Sequence, residues 1–424
     1  MRIGWATPFG KRSAIGTFSL AVCRELQARG HQVDILRLEI GEERALQPQD
    51  SDLDVRDAVD CDVDQYDRLV ANFGNHAPFH GHVMTLLARR APIGIFHDIE
   101  MRDFEWGLAD HCQFALPRAI GGEGERGSAG LSDMVDPAAR STLATLAAMT
   151  CGAVVHGPHY HKTIAAFCPG PVDVIPLCFP DIGINRAPRG AAPGKRIVVF
   201  GVINQNKQIG RVIEALALLR PRVGEVELHL AGLVEDRWRD VFLTHARALG
   251  LEPPVFHGYV SDARLQEILE DAHAICCLRY PVTEGGSASL VTALYRARPL
   301  IVSDVASYAS VPDELVAKIS YGADPEDLAG ALLDIFANPD KAEAKARKAR
   351  AWARERFSAR AYVDALEPLL LATQDHDQLA RVARTLVPAV TTTRHEVVEG
   401  AAEAFAGVLD WMYAGQGNGE LGRR

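Results

Sequence analysis

Short apolar runs alternate with helix-length amphipathic segments along most of the 424-residue chain, and this alternation restricts the fold more than any other feature. A short apolar run suits a buried parallel strand, and a stretch such as Gly16–Gly30, with Phe18, Val22 and Leu26 on one helical face, suits a crossover helix. The repetition predicts an α/β fold with doubly wound parallel sheets. The predicted strands are Ile3–Ala6, Val33–Leu36, Leu69–Phe73, Ile93–Phe96, Ala153–Val155, Val172–Ile175, Ile197–Gly201, Glu227–Ala231, Val255–His257, Ala274–Leu278, Leu300–Val302 and Ala317–Ile319.

Length and turn-forming residues divide the chain into two domains and a tail. A chain of this length suits two domains of roughly 150–200 residues each. Prolines and glycines interrupt the stretch Phe179–Lys195, so we expect an N-terminal domain over residues 1–180 and a second domain over 181–373. We expect residues 374–424 to form a helical tail that packs back on the first domain, and Gly121–Gly130 to be a loop over the cleft.

Charge and cysteine content argue against several classes of protein. The formal net charge is −10 without a Lys/Arg block, whereas a surface that binds duplex nucleic acid is basic, so no nucleic-acid partner is predicted. The eight cysteines include no Cys-x-x-Cys pair, so neither a zinc site nor a disulfide framework is expected. No window approaches the roughly 20 apolar residues of a membrane span, and the N-terminus lacks a signal-peptide pattern, so we expect a cytoplasmic protein.

A loop with one cation, one carboxylate and two glycines lies between a predicted buried strand and a predicted helix that begins near Ser287. The unpaired N–H groups and the positive dipole end of such a helix start bind phosphate, and glycine lets a phosphate approach the backbone. The alternative is that Gly-Gly-Ser is only a tight turn with a helix cap, and the segment alone leaves the two interpretations even. The candidate residues are the cation Arg279, the carboxylate Glu284, and Gly285, Gly286, Ser287, Ala288 and Ser289.

Two further loops of the second half follow predicted strands. The strand Ile197–Gly201 leads into a polar loop in which Asn206 and Lys207 precede a helix, and Lys207 would neutralise a diphosphate. A lone loop lysine is more often a solvated surface charge, and the sequence contains no Gly-x-x-x-x-Gly-Lys-Ser/Thr P-loop. The strand Val255–His257 ends at a loop where Tyr259 would contact a nucleobase. The candidate donor-binding residues here are Gly201, Asn206, Lys207 and Tyr259.

These three segments, in this order, resemble the donor domain of the retaining GT-B glycosyltransferases, the family that includes sucrose synthases and bacterial polysaccharide and lipopolysaccharide sugar transferases. Glu284 and Gly285 match the start of the family motif Glu-Gly-Phe-Gly-x-x-x-x-Glu-Ala, and Ala293 follows in register. Lys207 matches the family lysine. The resemblance implies a GT-B fold, in which two Rossmann-like domains face a central cleft and C-terminal helices cross back.

The sequence departs from the family pattern at two positions. Thr292 stands where the family has a second glutamate that usually grips the ribose hydroxyls, and Val202 stands where the family has a phosphate-binding arginine. We therefore expect nucleoside binding to differ from the family pattern, and Arg279 is the candidate replacement for the missing arginine.

The first half carries a second set of matches to a branch of the same family. That branch has Gly-Asn-x-x-x-x-His and then His-Asp at the ends of successive strands, and Gly74, Asn75, His80, His97 and Asp98 match it. The resemblance implies an acceptor site in the first domain and a histidine, His97, that meets the donor sugar across the cleft. The implied catalytic residues are His97, Asp98 and Glu284, and the implied acceptor-binding residues are Gly16, Asn75 and His80.

A metal site is the competing interpretation of the histidines and aspartates. The pairs His80–His82 and His159–His161 lie in segments predicted to be helical, where i and i+2 side chains diverge. The Asp-x-Asp runs Asp52–Asp54 and Asp60–Asp64 lie in a polar stretch and are interpreted as a solvated loop. We therefore expect no metal, and no cofactor besides a UDP-, GDP- or TDP-linked sugar as co-substrate.

The resemblance implies transfer of a hexose-type sugar, with retention of configuration, from a nucleoside diphosphate to a glycan, lipid-linked or small-molecule acceptor. It also implies attack on the face that the phosphate leaves, with that phosphate taking the acceptor's proton. A lipid-linked acceptor would require peripheral contact with the inner membrane face. Two alternatives stay open: a catalytically inactive nucleotide-sugar-binding partner subunit, which Thr292 and Val202 suggest, and a nucleotide-sugar isomerase of the 2-epimerase type.

Overall fold

A computed structural model describes residues 1–112, 137–181, 183, 194–320 and 324–373 of the chain. The chain divides into two compact units. The first contains Met1–Pro176, Thr283–Gly286 and the described residues from Tyr362 onward, and the second contains Leu177–Val282 and Ser287–Ala361. The predicted loop Gly121–Gly130 and the predicted tail over residues 374–424 lie outside the described residues.

The first unit is built on a seven-stranded sheet in the order β3-β2-β1-β4-β5-β6-β7, and every neighbouring pair is parallel. Its strands are β1 (Arg2–Thr7), β2 (Gln32–Arg37), β3 (Asp54–Asp57), β4 (Arg68–Phe73), β5 (Ile93–Phe96), β6 (Gly152–Val155) and β7 (Val172–Val174). Its helices are α1 (Ala14–Ala28), α2 (Gly41–Arg44), α3 (Ala77–His80), α4 (Val83–Arg89), α5 (Arg102–Cys112), α6 (Pro137–Ala148) and α7 (His161–Ala165).

The second unit is built on a six-stranded parallel sheet in the order β10-β9-β8-β11-β12-β13. Its strands are β8 (Lys195–Phe200), β9 (Val226–Ala231), β10 (Val255–Gly258), β11 (Ala274–Cys277), β12 (Leu300–Asp304) and β13 (Ala317–Ser320). Its helices are α8 (Ile209–Val223), α9 (Asp236–Ala248), α10 (Asp262–Glu270), α11 (Ala288–Tyr295), α12 (Ala306–Ala309), α13 (Pro325–Ala337) and α14 (Pro339–Arg356). The final helix, α15 (Ala359–Ala372), belongs to the first unit from Tyr362 onward.

Both sheets are covered by helices, and their central strands are buried. Every residue of β5, β6 and β11 is buried, as expected for parallel strands with helices on both faces. The predicted apolar face of α1, formed by Phe18, Val22 and Leu26, is buried. The two doubly wound sheets confirm the predicted fold class, and each of the twelve predicted strands is present.

The acidic stretch that was interpreted as a solvated loop contains a strand. Asp54 begins β3, which pairs with β2 from Asp34↔Asp54 to Arg37↔Asp57. This strand lies at the edge of the sheet, and its first three residues are exposed, so it lacks the apolar run that reveals a buried strand.

The last described helix packs on the first unit through charged and main-chain contacts. Arg29, at the end of α1, lies 2.7 Å from the Asp364 carboxylate and 2.8 Å from that of Glu367. Arg68 donates from Nε to the Leu370 carbonyl at 2.6 Å. These contacts fix α15 beside the amino-terminal edge of the first sheet.

Candidate functional site

The carboxyl edge of the second sheet brings together the lysine and the helix start that the sequence analysis singled out. Lys207 ends a single 3-10 turn, Gln205–Lys207, after β8, and it is only 4% exposed. Its Nζ lies 3.1 Å from the position that a Cβ on Gly201 would take, and Ser289 Oγ lies 3.0 Å from that position. An ammonium group and a hydroxyl therefore flank the Gly201 backbone.

Gly201 keeps this space open. Its backbone is left-handed, with φ of 86°, a conformation that strains any residue with a Cβ. A side chain there would also press on Lys207 and Ser289 at distances shorter than ordinary van der Waals contact. The absence of a side chain therefore lets a ligand atom approach the main chain between a cation and a hydroxyl.

Helix α11 begins at this edge, as predicted. Ser287 is its N-cap, and the Ser287 Oγ accepts a hydrogen bond from the Leu290 N–H at 3.2 Å. Ala288 and Ser289 lie in the first turn, where backbone N–H groups have no intrahelical acceptor and the helix dipole is positive. Lys207, the helix start and the glycine therefore lie together within one unit, and binding of an anion there stays a prediction.

The loops that carry these residues are tied to each other. Tyr280, after β11, donates its backbone N–H to the Asn206 carbonyl at 2.9 Å. The contact joins the loop of Lys207 to the loop that leads to α11. Asn206 therefore supports the lysine loop through its main chain.

Arg279 contacts β12 and the helix that follows it. Its guanidinium donates to the Leu278 carbonyl at 3.0 Å and lies 5.8 Å from the centre of the Tyr308 ring. Its backbone N–H donates to Ser303 Oγ at 2.9 Å. These contacts join Arg279 to the neighbouring strand β12 and the residues that follow it, and its role as replacement for the missing arginine stays a prediction.

Exposed apolar side chains follow the ends of three adjacent strands in the second sheet. Val202 follows β8, Leu233 follows β9 and Tyr259 follows β10, and Tyr259 is 65% exposed. The tyrosine ring is thus free to be covered by a flat ligand.

In the first unit, the segment Thr283–Gly286 is hydrogen-bonded to the carboxyl end of β5. Gly285 donates its N–H to the His97 carbonyl at 2.7 Å, and Ile99 donates its N–H to the Thr283 carbonyl at 2.9 Å. Asp98 and Glu284 pair as an antiparallel bridge between these bonds. The three predicted catalytic residues, His97, Asp98 and Glu284, are therefore brought together.

Gly285 is a glycine because a tyrosine occupies the space beside it. A Cβ on Gly285 would lie 2.1 Å from the Tyr160 hydroxyl oxygen and 2.4 Å from its Cζ. That hydroxyl donates to the Phe96 carbonyl at 2.7 Å and accepts from the His156 N–H at 2.6 Å, which fixes the ring. Close packing in the first unit thus gives Gly285 a structural reason that differs from the phosphate contact suggested by the sequence.

Asp98 keeps its proton to an unusually high pH. Burial raises the pKa of Asp98 to about 7, against the hydrogen bond from the Asn75 N–H at 2.8 Å, and the Glu284 carboxylate adds to the increase. At neutral pH the site therefore presents a carboxyl group that exchanges its proton readily, beside a second carboxyl group.

The predicted acceptor-binding residues hold the loops of the first unit. Besides bonding to Asp98 through its N–H, Asn75 accepts from the Phe104 N–H through Oδ1 at 3.0 Å, at the start of α5. His80 is buried and donates from Nδ1 to the Asn72 carbonyl at 3.0 Å. Gly16, buried in α1, donates its N–H to the N-cap Ser13 at 3.0 Å. Contact of these residues with an acceptor stays a prediction.

A family model described as glycosyl transferases group 1 matches residues 182–352. This part of the chain is therefore similar to group 1 glycosyl transferases. The match spans β8 to α14 and contains Gly201, Lys207, Glu284 and the start of α11, which carried the resemblance. The match confirms the expected resemblance to glycosyltransferases, whereas retention of configuration and the motifs of the first half stay predictions. No curated protein matches the sequence.

Solved structures with the same architecture include a glycosyltransferase of lipopolysaccharide biosynthesis. Anabaena Alr3699/HepE, in complex with UDP-glucose, aligns with a TM-score of 0.63 and 16% identity over 87% of this chain and 99% of that one. Sucrose-phosphate synthase from Thermosynechococcus elongatus aligns with a TM-score of 0.58 and 16% identity over 92% and 100% of the two chains. WaaG, a glycosyltransferase of lipopolysaccharide biosynthesis, gives 0.54 and 15% over 91% and 99%. At these identities the likeness shows the fold, which is GT-B.

Three residues that lie near His97 were missed in the sequence analysis. They are Asn72, in β4, and His156 and Tyr160, which follow β6. Their proximity to His97 could have been predicted, because polar residues at the ends of buried parallel strands meet at one edge of a sheet. The His159–His161 pair drew attention to metal binding instead, and it concealed the adjacent His156 and Tyr160.

His159 lies beside Glu284 and is neutral at ordinary pH. Burial lowers its pKa to about 4, although the nearby Glu284 main chain acts in the opposite direction. Neither ring nitrogen of His159 forms a well-aligned hydrogen bond with a described residue. Both nitrogens are enclosed by neighbouring atoms.

Within the ranges that the structure describes, no group of three or more His, Cys, Asp or Glu side chains is arranged to hold a metal ion. None of the described helices combines the length and the apolar character needed to cross a membrane.

Proposed function

We propose that the chain is a retaining glycosyltransferase that moves a hexose-type sugar from a nucleoside diphosphate to a glycan, lipid-linked or small-molecule acceptor. The single observation that supports this most is the arrangement of Lys207 and Ser289 about Gly201 at the start of α11. A fixed cation, a hydroxyl and a helix N-terminus suit a phosphate group that gains negative charge as the glycosyl bond breaks.

The reaction we propose breaks the bond between the anomeric carbon and the phosphate oxygen and forms a bond from that carbon to the acceptor oxygen. The acceptor attacks from the face that the phosphate leaves, and the phosphate takes the acceptor's proton. Lys207 and the first turn of α11 stabilise the charge on the leaving phosphate, and these fixed donors serve in place of a metal ion. Because they are ordered before the ligand arrives, they need little reorganisation during the reaction.

We assign the sugar hydroxyls to Glu284 and His97, which share one edge of the first unit. Asp98 supports them as a carboxyl group that loses its proton near neutral pH. We assign the nucleobase to the open face of Tyr259, where stacking requires no side chain to move aside. Alr3699/HepE is a relative in fold whose structure contains UDP-glucose, which favours UDP as the nucleoside diphosphate here.

Incubation of the purified chain with UDP-, GDP- and TDP-sugars, with and without an oligosaccharide acceptor, tests the proposal. We expect one nucleotide series to raise the unfolding temperature, since a ligand that binds only the folded chain stabilises it. We also expect release of nucleoside diphosphate and a product whose anomeric configuration, measured by NMR, is that of the donor. EDTA should leave the rate unchanged.

Three other outcomes would contradict the proposal. Inverted configuration would exclude the retaining mechanism. Binding without hydrolysis or transfer would identify the inactive partner subunit that Thr292 and Val202 suggest. Interconversion of the donor sugar in the absence of acceptor would identify an isomerase.

A further inference from the structure

A buried chain of hydrogen bonds runs through the first unit, from the Ile175 carbonyl to the Ala6 carbonyl. His156 contacts the Ile175 oxygen through Nδ1 at 3.0 Å and the Nδ1 of His97 through Nε2 at 3.2 Å. His97 contacts Asn72 Oδ1 through Nε2 at 2.9 Å, and Asn72 donates from Nδ2 to the Ala6 oxygen at 3.0 Å.

Both ends of this chain can only accept hydrogen bonds, and that fixes the protons between them. The Ile175 carbonyl requires a hydrogen on His156 Nδ1. The Ala6 carbonyl requires the amide nitrogen of Asn72, so Asn72 presents its oxygen to His97, and His97 Nε2 must carry a hydrogen. If the Asn72 amide were flipped, its oxygen would face the Ala6 carbonyl oxygen, and the contact without a hydrogen would lie there instead.

The remaining contact then joins two nitrogens that both lack a hydrogen. The four contacts of the chain each need one hydrogen, but two neutral imidazoles and one amide N–H supply only three. The missing hydrogen falls between His97 Nδ1 and His156 Nε2. One added proton would complete every contact at once.

Burial opposes that proton. The pair is enclosed. The Phe18 ring is T-shaped to both imidazoles, and its centroid lies 5.1 Å from that of His97 and 5.7 Å from that of His156. Burial lowers the pKa of His156 to about 4, and burial together with the neighbouring His156 and His80 lowers that of His97 well below its ordinary value. Among the described residues, the titratable groups near the pair are His80 from α3, Tyr160 after β6 and Tyr362 from α15, and Asp98 follows His97 in the sequence.

We propose that His97 and His156 bind a single proton between them, as one unit, and that His156 is a positioning residue that sets the protonation state of His97. The proton resides on the Nδ1–Nε2 contact, where it converts two facing lone pairs into a hydrogen bond. In the free protein the pair is neutral at pH 7 and lacks that bond.

The free-protein titration decides the proposal by itself. Histidine-selective 13C and 15N labelling of the full chain, with signals assigned through His97→Gln and His156→Gln, reports each imidazole as the pH falls. We expect the two residues to share one midpoint, above the value near 4 that burial sets for His156 alone, with uptake of one proton in total. His80 is the internal control, because its contact with the Asn72 carbonyl is already complete and burial lowers its pKa to about 3.

Two separate midpoints, or two side chains that stay neutral down to the pH at which the chain unfolds, would overturn the proposal. The variant His156→Gln brings an amide N–H to the position of His156 Nε2 and completes the contact without a charge. It should fold as the parent does and lose the shared titration. If instead His97 in this variant titrates as it does in the parent, His156 does not set its protonation state.

Discussion

Replacement of Gly201 by alanine should weaken nucleotide binding more than it weakens the fold. The added Cβ would lie 3.1 Å from Lys207 Nζ and 3.0 Å from Ser289 Oγ, in the space that we assign to a phosphate oxygen. Loss of one charge-assisted hydrogen bond there costs about 1.5–3 kcal/mol. The dissociation constant for the nucleoside diphosphate should therefore rise about 10- to 100-fold.

The same substitution also strains the backbone, and a matched variant separates the two effects. The left-handed conformation at Gly201 costs an alanine roughly 1–2 kcal/mol of folding free energy. Gly30, after α1, has φ of 87° against 86° at Gly201, and a Cβ on it meets nothing within 4 Å. Gly30→Ala should therefore carry the strain alone.

Urea unfolding and calorimetric titration with UDP, applied to both variants, measure the two quantities. We expect similar losses of unfolding free energy in the two variants and a loss of affinity only in Gly201→Ala. Parent-like affinity in Gly201→Ala would refute the assignment of this space to phosphate. Equal loss of affinity in both variants would trace the effect to general destabilisation.

Three further predictions concern the packing, the carboxyl group and the nucleobase. Gly285→Ala should cost about 1–3 kcal/mol of unfolding free energy or more, because the Cβ meets the Tyr160 hydroxyl, whereas Gly330→Ala, with nothing within 4 Å of its Cβ, should not destabilise the chain. Because the folded-state pKa of Asp98 is raised to about 7, the folded chain binds its proton more tightly than the unfolded chain, and stability falls as pH rises from about 4 to about 7. Urea unfolding across that range should show this contribution as the difference between the parent and Asp98→Asn, and equal slopes would contradict it. Tyr259→Ala should weaken UDP binding by about 1–3 kcal/mol with the unfolding temperature unchanged, since the lost contribution is stacking on an exposed ring; unchanged UDP affinity would remove Tyr259 from the site.

The sequence was sufficient for the sheets because the signal of a buried parallel strand is local. Ile93–Phe96 and Ala274–Cys277 are short apolar runs that are buried throughout, and each was recognisable from its own residues. The edge strand Asp54–Asp57 has no such run, because most of its side chains are exposed. Only its pairing with β2 in the folded chain shows that it is a strand.

The donor-side arrangement was predictable for a similar reason. Lys207 lies in the loop after β8 and Ser287 ends the loop after β11, and these two strands are neighbours, so parallel topology brings the two loops to one edge. The proximity of Tyr160 to Gly285 was not predictable, because it depends on how two loops distant in sequence pack. Likewise, the polar chain of Asn72, His97 and His156 requires three strands to be in register, and no single segment displays it.

Lys207→Gln tests the central claim most directly, with Lys348→Gln, an exposed position on α14, as the control for loss of charge. Turnover of the preferred nucleotide-sugar and the free energy of unfolding should be measured for both variants. We predict that Lys207→Gln lowers kcat/KM by about 100- to 1,000-fold while the chain stays folded, since the fixed charge acts on the leaving phosphate. Parent-like turnover in Lys207→Gln, or an equal loss in Lys348→Gln, would contradict the claim that Lys207 and the α11 N-terminus bind the diphosphate.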